Sequence, residues 1–276
     1  MHSAIIFGGS RGIGRFIAEN LVQNGNEVSV AGRNSSVLAN FKKSIAKQNL
    51  NINTIKTNVV IEEEVVRAFS VHKKEWGKSP DVVINCAAIQ SPIGNSWTIP
   101  VCKWEEAIRI NLLGSFIISK IAVNQMAKSG YGSIIMFSGG GAAYGRQNFS
   151  AYAVSKTGVL RLVETIDDEL KSAGYSDIII NAVAPGAVKT RMTKEVLKAG
   201  IRAGKKALDE AMQVNKNGGT SPDEIIHLVD FLIDINLNKG LSGRLIHVRE
   251  NYKQLVKQYG NSVPGDIGKL RRIPIE

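Results

Sequence analysis

The sequence predicts a doubly wound α/β fold: a seven-stranded parallel sheet in one domain, with a short C-terminal extension. Three observations predict it. Seven short apolar runs, most of them rich in Ile and Val, occur at residues 4–7, 28–31, 52–55, 82–84, 134–137, 178–183 and 245–248. That length and composition suit strands buried on both faces. Longer stretches with helical spacing separate the runs, and capping residues mark where those stretches begin and end.

The elements follow in order. After the first run, a helical pattern over 13–24 stops at Gly25, a left-handed cap signal. A second pattern over 61–76 stops at Gly77, with Lys73 and Lys74 in its last turn, where cations suit the helix dipole. Further helical patterns cover 103–128 and 152–171. Ser221-Pro222-Asp223-Glu224 reads as an N-cap, a first-position proline and a capping-box glutamate. No internal repeat or linker interrupts the alternation. Residues 1–250 therefore read as one domain and 251–276 as a tail.

Composition narrows the function classes. The chain has 276 residues, 43% of them hydrophobic and 21% charged, with 27 glycines spread throughout. This is a globular composition, not a disordered one. No apolar run approaches the ~18 residues of a membrane span. The first residues lack the basic region of a signal peptide. Cys86 and Cys102 are the only cysteines, which gives neither a disulfide framework nor a zinc site and points to a reducing cytoplasm. The net charge of +11 suits an anionic partner. No basic cluster is interleaved with aromatics as single-strand binders require, so nucleic acid is not expected.

Gly8-Gly9-Ser10-Arg11-Gly12-Ile13-Gly14 follows the first strand and opens the first helix. Glycines there permit a tight turn and close approach of backbone to a pyrophosphate, which the free N–H groups of the helix start can hold. The spacing differs from the usual dinucleotide fingerprint, G-x-G-x-x-G. Arg33 and Asn34 directly follow the second strand, where an acid would bind the ribose hydroxyls of NAD. An arginine suits the 2′-phosphate of NADP instead, and Arg11 can reach the same group from the loop. NADP is therefore expected over NAD. The plain alternative is two solvated arginines.

Tyr152 and Lys156 stand four apart at the start of a helical pattern and share a face. A phenol of ordinary pKa ~10 is a poor acid or base at neutral pH. A lysine cation nearby favours the phenolate, and reaching ~7 corresponds to about 4 kcal/mol. Such a tyrosine can exchange a proton with a substrate oxygen while hydride moves to or from carbon.

These residues, with Asn85-Cys86-Ala87-Ala88, Asn111 and Pro185-Gly186-Ala187-Val188-Lys189-Thr190, occur in the order and spacing of a known family. Over about residues 4–248 the chain resembles the short-chain dehydrogenases/reductases, Rossmann-type enzymes. The resemblance implies that Tyr152 is the acid/base and that Lys156 holds the nicotinamide ribose. It implies that Asn111 fixes a water in a proton relay and that Asn85 and Ala87 lie beside the cofactor. Asn58 and Val59 would lie near the adenine, and Val188 and Thr190 would clamp the carboxamide. It also makes 189–218 a substrate lid and pairs the helices over 103–128 and 152–171 across subunits of a homodimer or homotetramer.

The chain departs from the family in several places. Phe7 stands where threonine is usual, and Asn58 where aspartate is usual. The catalytic serine belongs thirteen residues before the tyrosine, which here is Gly139. Two readings stand. In the favoured one, the glycines at 139–141 absorb a one-residue insertion so that Ser138 reaches the site. In the other, the position is empty and the chain is a weak or inactive NADP-binding sensor or structural protein. The tail has no counterpart in the family pattern, and covers either the substrate mouth or a partner subunit.

Residues 189–216 hold eight cations against three acids, a net +5. Such a lid could steer an anionic carbonyl or alcohol substrate, such as a nucleotide sugar. A solvated helix face explains the charge equally well.

Overall fold

The structure is a computed structural model that describes residues 1–260 and 262–271. Seven strands form the sheet: β1 (Ser3–Phe7), β2 (Glu27–Gly32), β3 (Asn53–Lys56), β4 (Val82–Asn85), β5 (Gly132–Phe137), β6 (Ile178–Ala184) and β7 (Leu245–His247). The helices in chain order are α1 (Gly12–Gln23), α2 (Ser35–Ala46), α3 (Glu62–Trp76), α4 (Val101–Ile108), α5 (Gly114–Met126), α6 (Ser150–Ser172), α7 (Arg191–Ala199), α8 (Lys205–Asn217), α9 (Pro222–Ile233), α10 (Ile235–Asn238) and α11 (Tyr252–Tyr259). All seven apolar runs of the sequence became strands, with ends shifted by one or two residues.

The sheet order is β3-β2-β1-β4-β5-β6-β7, and every pair is parallel. The order reverses between β1 and β4, so their C-terminal ends open a crevice where ligands bind in such folds. Alternation along each strand splits the core. Ala4 and Ile6 join α1, α2 and α9 on one face, while Ile5 and Phe7 join α3, α5 and α6 on the other. Ile5 and Ile6 are both fully buried; each such side chain contributes about 1.5–3 kcal/mol. Phe7 stacks tilted against Phe69, ring centroids 6.0 Å apart, so the polar contact expected of a threonine there is replaced by apolar packing.

The helical pattern over 103–128 is not one regular helix. A π-helical turn, Arg109–Leu113, separates α4 from α5. The caps at Gly77 and Ser221 form as the sequence indicates: Gly77 is left-handed at φ 75°, and the Ser221 hydroxyl accepts from Glu224 N. No helix among the described residues is long and apolar enough to cross a membrane.

The tail docks on its own subunit. The Arg244 guanidinium donates to the carbonyls of Val263 (2.9 Å), Pro264 (3.1 Å) and Ile267. Gly268 O accepts from Leu245 N at 2.7 Å, on the open edge of β7. The buried Glu164 carboxylate accepts from Leu270 N at 2.6 Å. No described tail residue lines the large cleft, so the substrate-mouth alternative is not what this arrangement builds.

Candidate active site

A cleft of about 1060 Å³ opens at the C-terminal ends of β1, β4 and β5, at the upper end of the size range for small-molecule sites. Its floor is the glycine loop. Gly8 sits at φ 76°, and a Cβ there would lie 2.7 Å from Ala87 N. A Cβ on Gly14 would lie 2.7 Å from Gly8 O. Loop, helix and strand end can approach this closely only without side chains. Arg11 is the N-cap of α1 and offers no side-chain cap, so the N–H groups of the first turn, from Gly12, Ile13 and Gly14, stay available to an anion. Ser10 lines the same cleft.

At one end lie Arg33, Asn34, Asn58 and Val59. The Asn34 side chain caps α2, accepting from Val37 N at 2.9 Å. Asn58 N donates to Glu64 Oε2 at 2.7 Å, and Val59 is packed close under Gly114. Arg11 and Arg33 are exposed and, among the described residues, have neither an ion pair nor a hydrogen-bond acceptor. Two free guanidiniums flanking one end of a phosphate loop fit a dinucleotide carrying an extra phosphate.

The other end is built by β4, β5, β6 and α6. Asn85 donates to Ser115 Oγ (3.0 Å) and accepts from Ala87 N (3.0 Å), which fixes the turn that lines the cleft. Pro185 and Gly186 follow β6, and Gly186 has φ 68°. Val188 bridges to Gly219, and Thr190 caps α7. Thr190 Cγ2 would lie 3.5 Å from a Cβ on Gly12, so the base of the 189–218 segment reaches the phosphate loop.

Asn111 sits fully buried in the π-helical turn. Its amide donates to Ile89 O (2.9 Å) and Ser155 Oγ (3.0 Å), and accepts from Ile89 N (2.8 Å). The amide thus pins the loop after β4 onto α6.

Tyr152 and Lys156 lie on the first turns of α6, both buried and both lining the cleft. Lys156 Nζ donates to Phe137 O at 2.7 Å and stands 5.7 Å from the Tyr152 ring centroid. Burial brings the lysine down to about 8. The phenol differs from the sequence expectation. Burial pushes it above its ordinary value, and the Arg146 charge pulls against that.

Ser138 lines the cleft with Gly139 and Tyr152. Its hydroxyl donates to Lys156 O at 3.3 Å, and its N–H continues the β5–β6 ladder to Val183 O at 2.8 Å. The strand keeps its register through Phe137, and position 139 turns toward the phenol. A Cβ on Gly139 would lie 3.0 Å from Tyr152 Oη. The residue beside the Tyr152 hydroxyl is therefore Gly139, and it carries no side-chain donor.

Sequence reasoning missed Arg146 and Gln90, which also line the cleft, and of the lid cations it did count, Lys206 lines it too. Gln90 and Arg146 belong to irregular segments after β4 and β5, where no periodicity marks them. The lid charge was noticed, but much of it is internally paired. Arg191 meets Glu195 (3.1 Å), Lys205 meets Asp209 (3.3 Å), and Lys189 donates to Asn215 O (2.7 Å).

Comparison with known proteins agrees with this architecture. The family description for short chain dehydrogenases matches residues 2–200. The 3-oxoacyl-[acyl-carrier-protein] reductase FabG of Aquifex aeolicus is 28% identical over 247 residues, covering 89% of this chain and 94% of that protein. The reductase MabA of Mycobacterium tuberculosis is 29% identical over 253 residues, covering 89% and 90%. An actinorhodin polyketide ketoreductase solved with NADPH superposes with a TM-score of 0.79 at 24% identity, covering 89% of this chain and 94% of that one. The chain belongs to the short-chain dehydrogenase/reductase family and is an oxidoreductase acting between CH–OH and C=O groups.

Proposed function

We propose that the protein is an NADP(H)-dependent oxidoreductase that interconverts a carbonyl and a secondary alcohol. The observation that carries this reading is the meeting of the glycine loop, two free arginines and the Tyr152–Lys156 pair in one cleft. Bound NADPH would supply the hydride. Gly8, Gly12, Ile13 and Gly14 would hold its pyrophosphate, Arg11 and Arg33 its 2′-phosphate, and Asn58 and Val59 its adenine. Lys156 would orient the nicotinamide ribose, with Asn85, Ala87, Pro185, Gly186, Val188 and Thr190 around the ring. Tyr152 would give its proton to the substrate oxygen, and the buried walls would exclude water from that transfer.

The substrate we favour is anionic, such as a sugar phosphate ester or nucleotide sugar, because Arg146 and Lys206 line the cleft. We place the protein in the cytoplasm as a homodimer or homotetramer. Phe116 on α5 and Val154 on α6 are apolar and exposed, as a subunit contact through those helices requires.

A second reading, a binding protein with little turnover, draws on Gly139. Titration with NADPH and NADH at one salt concentration tests the cofactor half. Tight NADPH binding that loosens about 10- to 100-fold in Arg33→Ala, with NADH unaffected, is the expected result for one charge-assisted contact. Tyr152→Phe tests the chemical half: it should abolish turnover and leave NADPH affinity in place. Full turnover in that variant would refute the assignment.

A further inference from the structure

Position 139 leaves the phenol without a neighbouring donor on one side. The backbone there is extended, at φ 174°, so it imposes no strain on a side chain, but a Cβ would lie only 3.0 Å from Tyr152 Oη. Glycine thus leaves room beside the reacting oxygen.

Arg146 lies across the same cleft, on the segment between the 3-10 turn Gly140–Ala142 and α6. Its guanidinium stacks over the Phe149 ring, 4.6 Å from the centroid. Phe149 is fully buried in one apolar cluster with Tyr152, so its ring holds the cation against the cluster that carries Tyr152. The guanidinium is not consumed elsewhere. Its side chain is 30% exposed, and its nearest acid, Glu210, is 3.9 Å away, too far for a hydrogen bond. Its charge also opposes the burial that raises the phenol.

We propose that Arg146 fills the part left open at position 139: its guanidinium donates to the substrate's carbonyl oxygen, beside the Tyr152 hydroxyl. This rests on the oxidoreductase reading above. In the reductive direction the carbonyl carbon gains a hydride from the reduced dinucleotide, and the C=O π pair moves to oxygen. That oxygen takes the Tyr152 proton, and solvent returns a proton to the phenolate. Negative charge forms first on the substrate oxygen and then on the phenolate, and one cation stabilises both.

Two arms test it on the full chain. The first needs no substrate. Protein labelled with [13Cζ]tyrosine is titrated by NMR from pH 6 to 11, with Tyr152→Phe to assign the signal. Arg146→Met should delay the onset of Tyr152 ionisation by about one pH unit, and Arg202→Met, a lid cation outside the cleft, should not. Coincident wild-type and Arg146→Met curves would overturn the proposal.

The second arm follows NADPH oxidation with ethyl acetoacetate and with acetoacetyl-coenzyme A. Arg146→Met should lower kcat about 100-fold at unchanged melting temperature. Adding Gly139→Ser to that variant should restore at least tenfold, because a hydroxyl then stands where the donor is needed. A folded double variant with no recovery would show that the two positions do not share a task. NADPH binding without turnover of either ketone would mean that neither is accepted as substrate, and the NMR arm would still decide the placement of Arg146.

Discussion

Lys156→Met should make the protein more stable while removing its function. The Lys156 ammonium is buried, and burial lowers it from its ordinary 10.5 to about 8. A shift of that size means that holding the protonated lysine in the fold costs about 3 kcal/mol at neutral pH, at ~1.4 kcal/mol per unit. Methionine has similar length and no charge. It forfeits the bond to Phe137 O, which contributes about 1 kcal/mol net. The balance is a gain of about 2 kcal/mol, or roughly 4–8 °C in melting temperature for a chain of this size. The pH dependence gives a second check. The folded pKa lies below the unfolded one, so the penalty is complete below pH 8. It fades as pH rises from 8 to 10.5, because the folded protein then sheds the proton that the unfolded chain keeps. Scanning calorimetry of both proteins from pH 7 to 10.5 should show a gap that narrows upward. A variant that melts below the wild type at pH 7, or a gap of constant size, would refute the reasoning.

Three further outcomes follow from other parts of the structure. His72 is fully buried between the hydroxyls of Ser3 (2.9 Å) and Ser29 (2.8 Å), and burial lowers it to about 4. Stability should therefore fall by about 3 kcal/mol as pH drops from 6.5 to 4, and urea midpoints of His72→Gln should lack that component. Gly14→Ala places a Cβ 2.7 Å from Gly8 O, forcing α1 off the loop; NADPH titration should show affinity lowered at least tenfold, with the far-UV spectrum retained. Deleting residues 262–276 removes the backbone partners of Arg244 and Glu164. The melting midpoint should drop by the equivalent of about 3 kcal/mol, while cofactor affinity holds, because no described tail residue lines the cleft.

The sheet was legible because each strand is an apolar run read directly from neighbouring residues, and a fully buried parallel sheet demands little else. The π-helical turn at Asn111 was not, since a one-residue shift in helical hydrogen bonding hardly disturbs the spacing of apolar positions. The tail was illegible for a different reason: Leu270 meets Glu164 over 106 residues, and no local pattern encodes that contact.

The same distinction runs through the site. The glycine loop and the Tyr152–Lys156 pair are local, and the structure brings both to one cleft. Ser138 against Gly139 turned on which way one backbone position points at the end of β5. A run of glycines leaves that open to sequence reasoning, whereas the Ser138 N–H continues the ladder to Val183 O and Gly139 faces the phenol. The phenol's surroundings likewise depend on distance, not adjacency. Lys156, four residues from Tyr152, turns its ammonium to Phe137 O, while Arg146, on an irregular segment, opposes the burial that raises the phenol. Short-range motifs therefore locate this site, and contacts between separate segments set its proton chemistry. The substitutions that should most alter turnover without moving the fold lie at Gly139 and Arg146, outside the motifs that mark the family.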